Sequence, residues 1–163
     1  MLKKLALFLS LFGLTSAAIA SGGEFDCSTV TDVPYEECEA LVAFYNSTNG
    51  DNWYINDGWL ETNNVCDWLG VECEGLNVSR RVLIRNGLTG SIPPELGKLS
   101  GLMDLQMSDN QLTGSIPTEL GKLSGLMRLN LSGNQLTGSI PTELSDLSYL
   151  KMLFLDSNQL GES

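Results

Sequence analysis

Four cysteines, 20 carboxylates and scattered serine and threonine hydroxyls are the chemically capable side chains of this sequence, which has no histidine. Without an imidazole there is no His-based triad, no histidine metal ligand and no histidine general base. A Ser or Thr nucleophile would need a Lys or a carboxylate as its base. Lys98 and Lys122 both sit in repeated G-K-L-S contexts that look structural, and no acid pair stands in a recognisable glycosidase setting. The sequence therefore predicts no catalytic residue, no metal and no cofactor. Cys27, Cys38, Cys66 and Cys73 are even in number, as expected of disulfides in an exported chain. Three pairings exist; closeness in sequence favours Cys27–Cys38 and Cys66–Cys73, each closing a small loop. The gaps do not match the C-x2-4-C spacing of a four-cysteine zinc site, and no redox C-x-x-C occurs.

The first 20 residues agree with export. Lys3 and Lys4 precede an apolar run that ends at Ala18-Ile19-Ala20, the three-part layout of a cleavable secretory signal. Its strongest stretch, Leu5 to Leu14, is too short to span a bilayer comfortably, and no other stretch of the sequence reaches that length. Cleavage after Ala20 leaves 7 basic against 20 acidic side chains, a formal −13. That balance argues against nucleic acid and against an anionic membrane surface as partners.

The elements that must position everything else come from a repeat. Segments starting at Val78, Leu102, Leu126 and Leu150 align with a period of 24, marked by Asn86, Asn110, Asn134 and Asn158. The pattern is L-x-x-L-x-L-x-x-N-x-L. Its alternating part places Leu105 with Met107, Leu129 with Leu131, and Leu153 with Leu155 on one side of a short strand. One copy cannot bury these side chains; stacked copies can, with their strands in a parallel sheet. The asparagine amide both donates and accepts, so a column of them can satisfy backbone groups left inside each turn. The T-G-S-I-P segment that follows turns the chain. Leu96/Leu99, Leu120/Leu123 and Leu144/Leu147 then suit one turn of 3₁₀ helix.

LTGSIPPELGKLSGL and LTGSIPTELGKLSGL resemble the plant-type leucine-rich repeat of receptor-kinase ectodomains and polygalacturonase-inhibiting proteins; similar repeats occur in secreted bacterial and algal proteins. ALVAFYNSTNGDNWYINDGWL followed by CDWLGVEC is similar to that family's N-terminal cap. The resemblance covers about residues 35 to 160 and implies a Cys66–Cys73 bond. It also implies an α/β right-handed solenoid with a short-stranded parallel sheet on its concave side, 3₁₀ or irregular return segments, a second small strand near T-G-S-I-P and a helical, disulfide-bonded cap. The expected organisation is a signal peptide at 1–20, a cap at 21–76 and about four repeats at 77–163, the last incomplete. A cap helix is expected over 35–48, with Pro34 in its first turn, Leu41, Val42, Phe44 and Tyr45 on its apolar face, and Gly50 closing it. Trp53, Trp59 and Trp68 read as core fillers, with a sugar-stacking platform as the functional alternative. Arg81 stands where an inward leucine belongs, so either it reaches toward the cap or its strand is shifted.

The strand positions between the leucines vary while the frame repeats, and they form the candidate binding face. Its columns are Arg80, Asp104, Arg128 and Met152; Val82, Gln106, Asn130 and Phe154; and Ile84, Ser108, Ser132 and Asp156. The sequence thus predicts a secreted or cell-surface, non-catalytic module that takes a protein, peptide or glycan ligand. The alternatives are an N-terminal part of a larger receptor or adhesin, an ice-binding array built on the recurrent Thr/Ser positions, and an enzyme inhibitor. The last copy stops before its second leucine pair, so an uncapped edge open to self-association is expected. Sequons at Asn46, Asn77 and Asn130 matter only in a glycosylating host, and a glycan on Asn130 would obstruct the concave face.

Overall fold

The computed structural model describes residues 25–161, so the expected signal segment lies outside the described residues. The chain winds into stacked coils. The concave wall is a five-stranded sheet in the order β1 (Val71–Glu74), β2 (Asn77–Val82), β3 (Asp104–Gln106), β4 (Arg128–Asn130) and β6 (Met152–Phe154). β1 pairs antiparallel with β2, and all later pairs are parallel. The register matches the 24-residue period: Arg81, Leu105, Leu129 and Leu153 lie opposite one another across the four parallel strands. Leu105, Met107, Leu129 and Leu131 are wholly buried, each contributing about 2–3 kcal/mol of apolar transfer. Leu153, in the last coil, is 43% exposed.

The return path follows the same period. Short 3₁₀ turns at Pro94–Lys98, Thr118–Lys122 and Thr142–Asp146 each start after a proline and bury their first leucine. The second face forms where expected: β5 (Thr137–Gly138) pairs with β7 (Gln159–Leu160), and Ser91 bridges to Thr113.

Inside each turn the asparagines perform the role their amides allow. Asn110 Nδ2 donates to the carbonyls of Leu83, Met107 and Ser108, while its Oδ1 accepts from the amides of Asn86 and Leu88. Asn134 donates to Met107, Leu131 and Ser132 and accepts from Leu112. Asn158 does the same for Leu131, Leu155, Asp156 and Leu136. Each asparagine thus ties its own coil to the one before it. Asn86, at the head of the column, exchanges bonds with the backbone of Ile55 in the cap, at 2.7 and 2.9 Å.

The cap imitates a preceding coil. Helix α1 runs Tyr35–Ser47, with Pro34 at its N-cap position and Leu41, Val42, Phe44 and Tyr45 buried. It ends before Gly50: Thr48 is the C-cap, and Asn49 takes the left-handed turn at φ 62°. Gly50 has a different reason, since a Cβ there would lie 2.3 Å from the Tyr45 ring. The amides of Thr89 and Ser91 bond the carbonyls of Thr48 and Ser47, seating the first repeat on the helix end. Gly90 permits this approach, because a Cβ would meet the Ser47 carbonyl at 2.1 Å. The disulfides are Cys27–Cys38 and Cys66–Cys73.

Arg81 resolves in favour of the cap, with no strand shift. It is wholly buried, and its guanidinium lies 4.3 Å from the Trp59 ring centroid, 4.9 Å from Phe44 and 5.7 Å from Trp53. Its Nη1 donates to the Leu69 carbonyl at 3.3 Å, and no carboxylate pairs with it among the described residues. Guanidinium stays protonated in proteins, so ring faces stand in for the missing anion. Trp53, Trp59 and Trp68 are all buried in this cluster, with their indole N–H groups donating to backbone carbonyls. Their faces are therefore unavailable as a sugar platform.

Two predictions concern this junction. Arg81→Ala leaves the aromatic box empty and costs about 3–5 kcal/mol. Arg81→Met fills it, as the leucine of the pattern would, and costs under about 1.5 kcal/mol. Urea unfolding of both variants checks this, and equal losses would contradict a packing role. Glu37 of α1 is also buried and accepts from the Val78 amide at 2.8 Å. Burial raises its carboxyl above the ordinary 4.5, against the opposing pull of that hydrogen bond. A raised carboxyl contributes stability below its unfolded pKa and loses it as pH rises through the folded one. Melting temperatures of the wild type should thus fall relative to Glu37→Gln as pH climbs from about 4.5 toward neutrality; parallel curves would contradict the assignment.

Candidate ligand-binding surface

The strand register brings the first predicted column into one row. Arg80, Asp104, Arg128 and Met152 are direct partners across β2, β3, β4 and β6, and Glu72 on β1 extends the row as the partner of Arg80. The charges alternate along it. Arg80 Nη1 donates to Glu72 Oε2 at 2.8 Å, Arg80 Nε lies 3.6 Å from Asp104 Oδ2, and Arg128 Nη1 donates to that same oxygen at 3.0 Å. Gln106 Nε2 adds a fourth contact at 3.2 Å. Asp104 occupies a displayed position yet its side chain is only 11% exposed, because the two arginines close over it. It therefore organises the guanidinium groups more than it offers a carboxylate to a ligand.

The second column has no fully buried member. Val82, Gln106 and Asn130 are half-buried, and Phe154 is 43% exposed. Asn130 turns its Oδ1 onto the backbone and hydroxyl of Ser132, so these two residues form a local unit. In the third column Ile84 and Asp156 are exposed and Ser132 is half-buried, whereas Ser108 is buried. Ser108 thus sits on the predicted column without facing solvent.

A cleft of about 510 Å³ lies along the row. Beyond the predicted Arg80, Asp104, Arg128 and Met152, it is lined by Glu72 and Glu74 from β1, and by Met103, Met127 and Lys151. Neither set was anticipated. Met103, Met127 and Lys151 recur at the 24-residue phase just ahead of the predicted displayed positions, which is a signal present in the sequence. Glu72 and Glu74 depend on the β1–β2 hairpin, which folds the cysteine-bearing end of the cap onto the first repeat. Among the described residues no His, Cys, Asp and Glu cluster has the makings of a metal site, and no helix is long and apolar enough to cross a membrane.

Comparison with known proteins places this architecture. The family models for the leucine-rich repeat match residues 101–123 and 115–160, and the model for the leucine-rich repeat N-terminal domain matches residues 34–74. Phytosulfokine receptor 2 of Arabidopsis thaliana is 42% identical over 64 residues, which are 37% of this chain and 6% of that protein. The crystal structure of PEPR1–AtPEP1 superposes with a TM-score of 0.69 at 29% identity, over 78% of this chain and 18% of the other. This chain thus spans only a small part of both. The ectodomain of the receptor kinase SOBIR1 from Arabidopsis thaliana gives a TM-score of 0.68 at 32% identity, over 79% of this chain and 70% of that ectodomain. With its repeats and its cap each matched by a family model, and with a relative 32% identical of which it covers 70%, the chain belongs to the leucine-rich repeat family and carries that family's N-terminal domain.

Proposed function

We propose that this protein is a secreted, non-catalytic binding module whose concave sheet recognises an extended segment of a peptide, protein or glycan. The observation that carries this proposal is the contrast between frame and face. Leucine and asparagine repeat at most inward positions, with Arg81 and Met107 the exceptions on the strands, while the outward row and its cleft change from strand to strand. A likeness to a phytosulfokine receptor and to the structure titled PEPR1–AtPEP1 supports a binding role. The absence of histidine and the pairing of Glu72 and Asp104 with arginines support a face without general acid–base chemistry. Two cysteine pairs, both bonded, support an oxidising compartment.

Size bounds the affinity. About a dozen displayed residues are fewer than the roughly 20–30 per side of a standard protein interface. A short ligand is favoured over a large globular one.

The test is selection of binders from a displayed random peptide library, followed by affinity measurement on variants. Arg128→Ala combined with Phe154→Ala should weaken the selected peptides at least tenfold, with melting unchanged within about 2 °C, since Arg80 remains to hold Asp104. Thr137→Ala and Ser139→Ala, both exposed and on the T-G-S-I-P segment, should leave affinity unchanged. Loss confined to the Thr/Ser pair would move the binding surface to that segment and overturn the proposal.

A further inference from the structure

The cleft on the concave sheet has a direction. Its interior charges neutralise one another, because Arg80 lies between Glu72 and Asp104, and Asp104 holds Arg128. What remains unpaired is segregated. Glu74 lies at the β1 end with no ion-pair partner among the described residues, beside Glu72, whose one partner is Arg80. Lys151 lies at the β6 end, equally unpaired, beside Arg128, whose guanidinium is engaged through a single nitrogen. Between the two ends Met103 and Met127 give an apolar floor, and both are partly exposed. Thioether side chains adapt to apolar groups of varied shape. Four strand intervals of about 4.8 Å separate β1 from β6, so the poles stand roughly 19 Å apart, the reach of about six extended residues.

This arrangement discriminates among ligand classes. A polyanion would meet Glu72 and Glu74 within the cleft and a strongly acidic chain around it. A polycation would meet Arg128 and Lys151. A neutral sugar would engage neither pole. We infer that the cleft takes a short extended peptide of divided charge, lying across the strands. Its basic end sits at Glu72 and Glu74, an apolar side chain rests on Met103 and Met127, and its acidic side chains lie at Arg128 and Lys151. This rests on the proposed use of the concave sheet and deepens it by naming the ligand's charge order. Exposed ion pairs are individually weak, so two such ends act as a filter on sequence more than as the source of affinity.

The experiment is selection of a displayed random decapeptide library on the wild-type protein and, in parallel, on Lys151→Glu, with both pools sequenced. Lys151 is exposed and unpaired, so the substitution leaves the fold intact. Wild-type binders should carry basic residues toward one end and acidic residues toward the other, enriched at least threefold over the starting library. On Lys151→Glu the acidic end should be replaced by a second basic one. Binders without charge order that still depend on Arg128 and Phe154 would overturn the divided-charge ligand and leave the concave binding face standing. A wild-type pool whose charge order persists unchanged in Lys151→Glu would overturn the placement of the acidic end. Recovery of no binder at all would overturn both.

Discussion

A coil of 24 residues encloses backbone carbonyls and amides that its own three-residue strand cannot satisfy, and the inward asparagine is the group that satisfies them. Each amide bonds its own turn and the turn before it, so neighbouring coils are joined by fixed hydrogen bonds as well as by leucine packing. Buried polar groups left unpaired cost about 1–3 kcal/mol each, so a coil displaced by one residue would lose several such bonds at once. This makes the register strict. The outward row inherits that strictness, because Arg80 and Arg128 can share the Asp104 carboxylate only when their strands are level.

The N-terminal end meets the same constraint by substitution. Ile55 supplies the backbone groups that a preceding coil would present to Asn86, and the carbonyls of Ser47 and Thr48 do so on the other face. Where the pattern calls for leucine, Arg81 extends its longer side chain into a box of Phe44, Trp53 and Trp59. A buried cation without a carboxylate is costly in general. Here three ring faces and one carbonyl surround it, and the first repeat is pinned to its cap by a contact that no later repeat makes. At the opposite end no described residue makes such a contact, and Met152, Leu153 and Phe154 are each about 40% exposed.

Much of this was legible from the amino-acid order. The 24-residue period placed the strands, the inward leucines and the asparagine column, because stacking converts equal spacing into vertical alignment. The disulfide pairing followed from short separations and from the resemblance of the CDWLGVEC stretch. What escaped depended on segments converging from different parts of the chain. Nothing in one dimension says that Phe44, Trp53 and Trp59 meet around Arg81, and two alternatives stood open until the register settled them. The β1–β2 hairpin carries Glu72 and Glu74 to the concave face, and strand alternation over four residues is too brief a signal to announce it. Asp104 and Ser108 occupy the predicted columns but are buried, since neighbouring side chains and the local turn, not the period, decide exposure.

The face therefore varies only because the frame behind it cannot. Native-state hydrogen exchange tests that dependence most directly. The amides of Asn86, Leu88 and Leu112, which bond asparagine side chains of the next coil, should exchange only through the same global opening that exposes β3 and β4. Exchange of these three amides at free energies well below those of the strand amides would show that the asparagine column does not hold the coils in register.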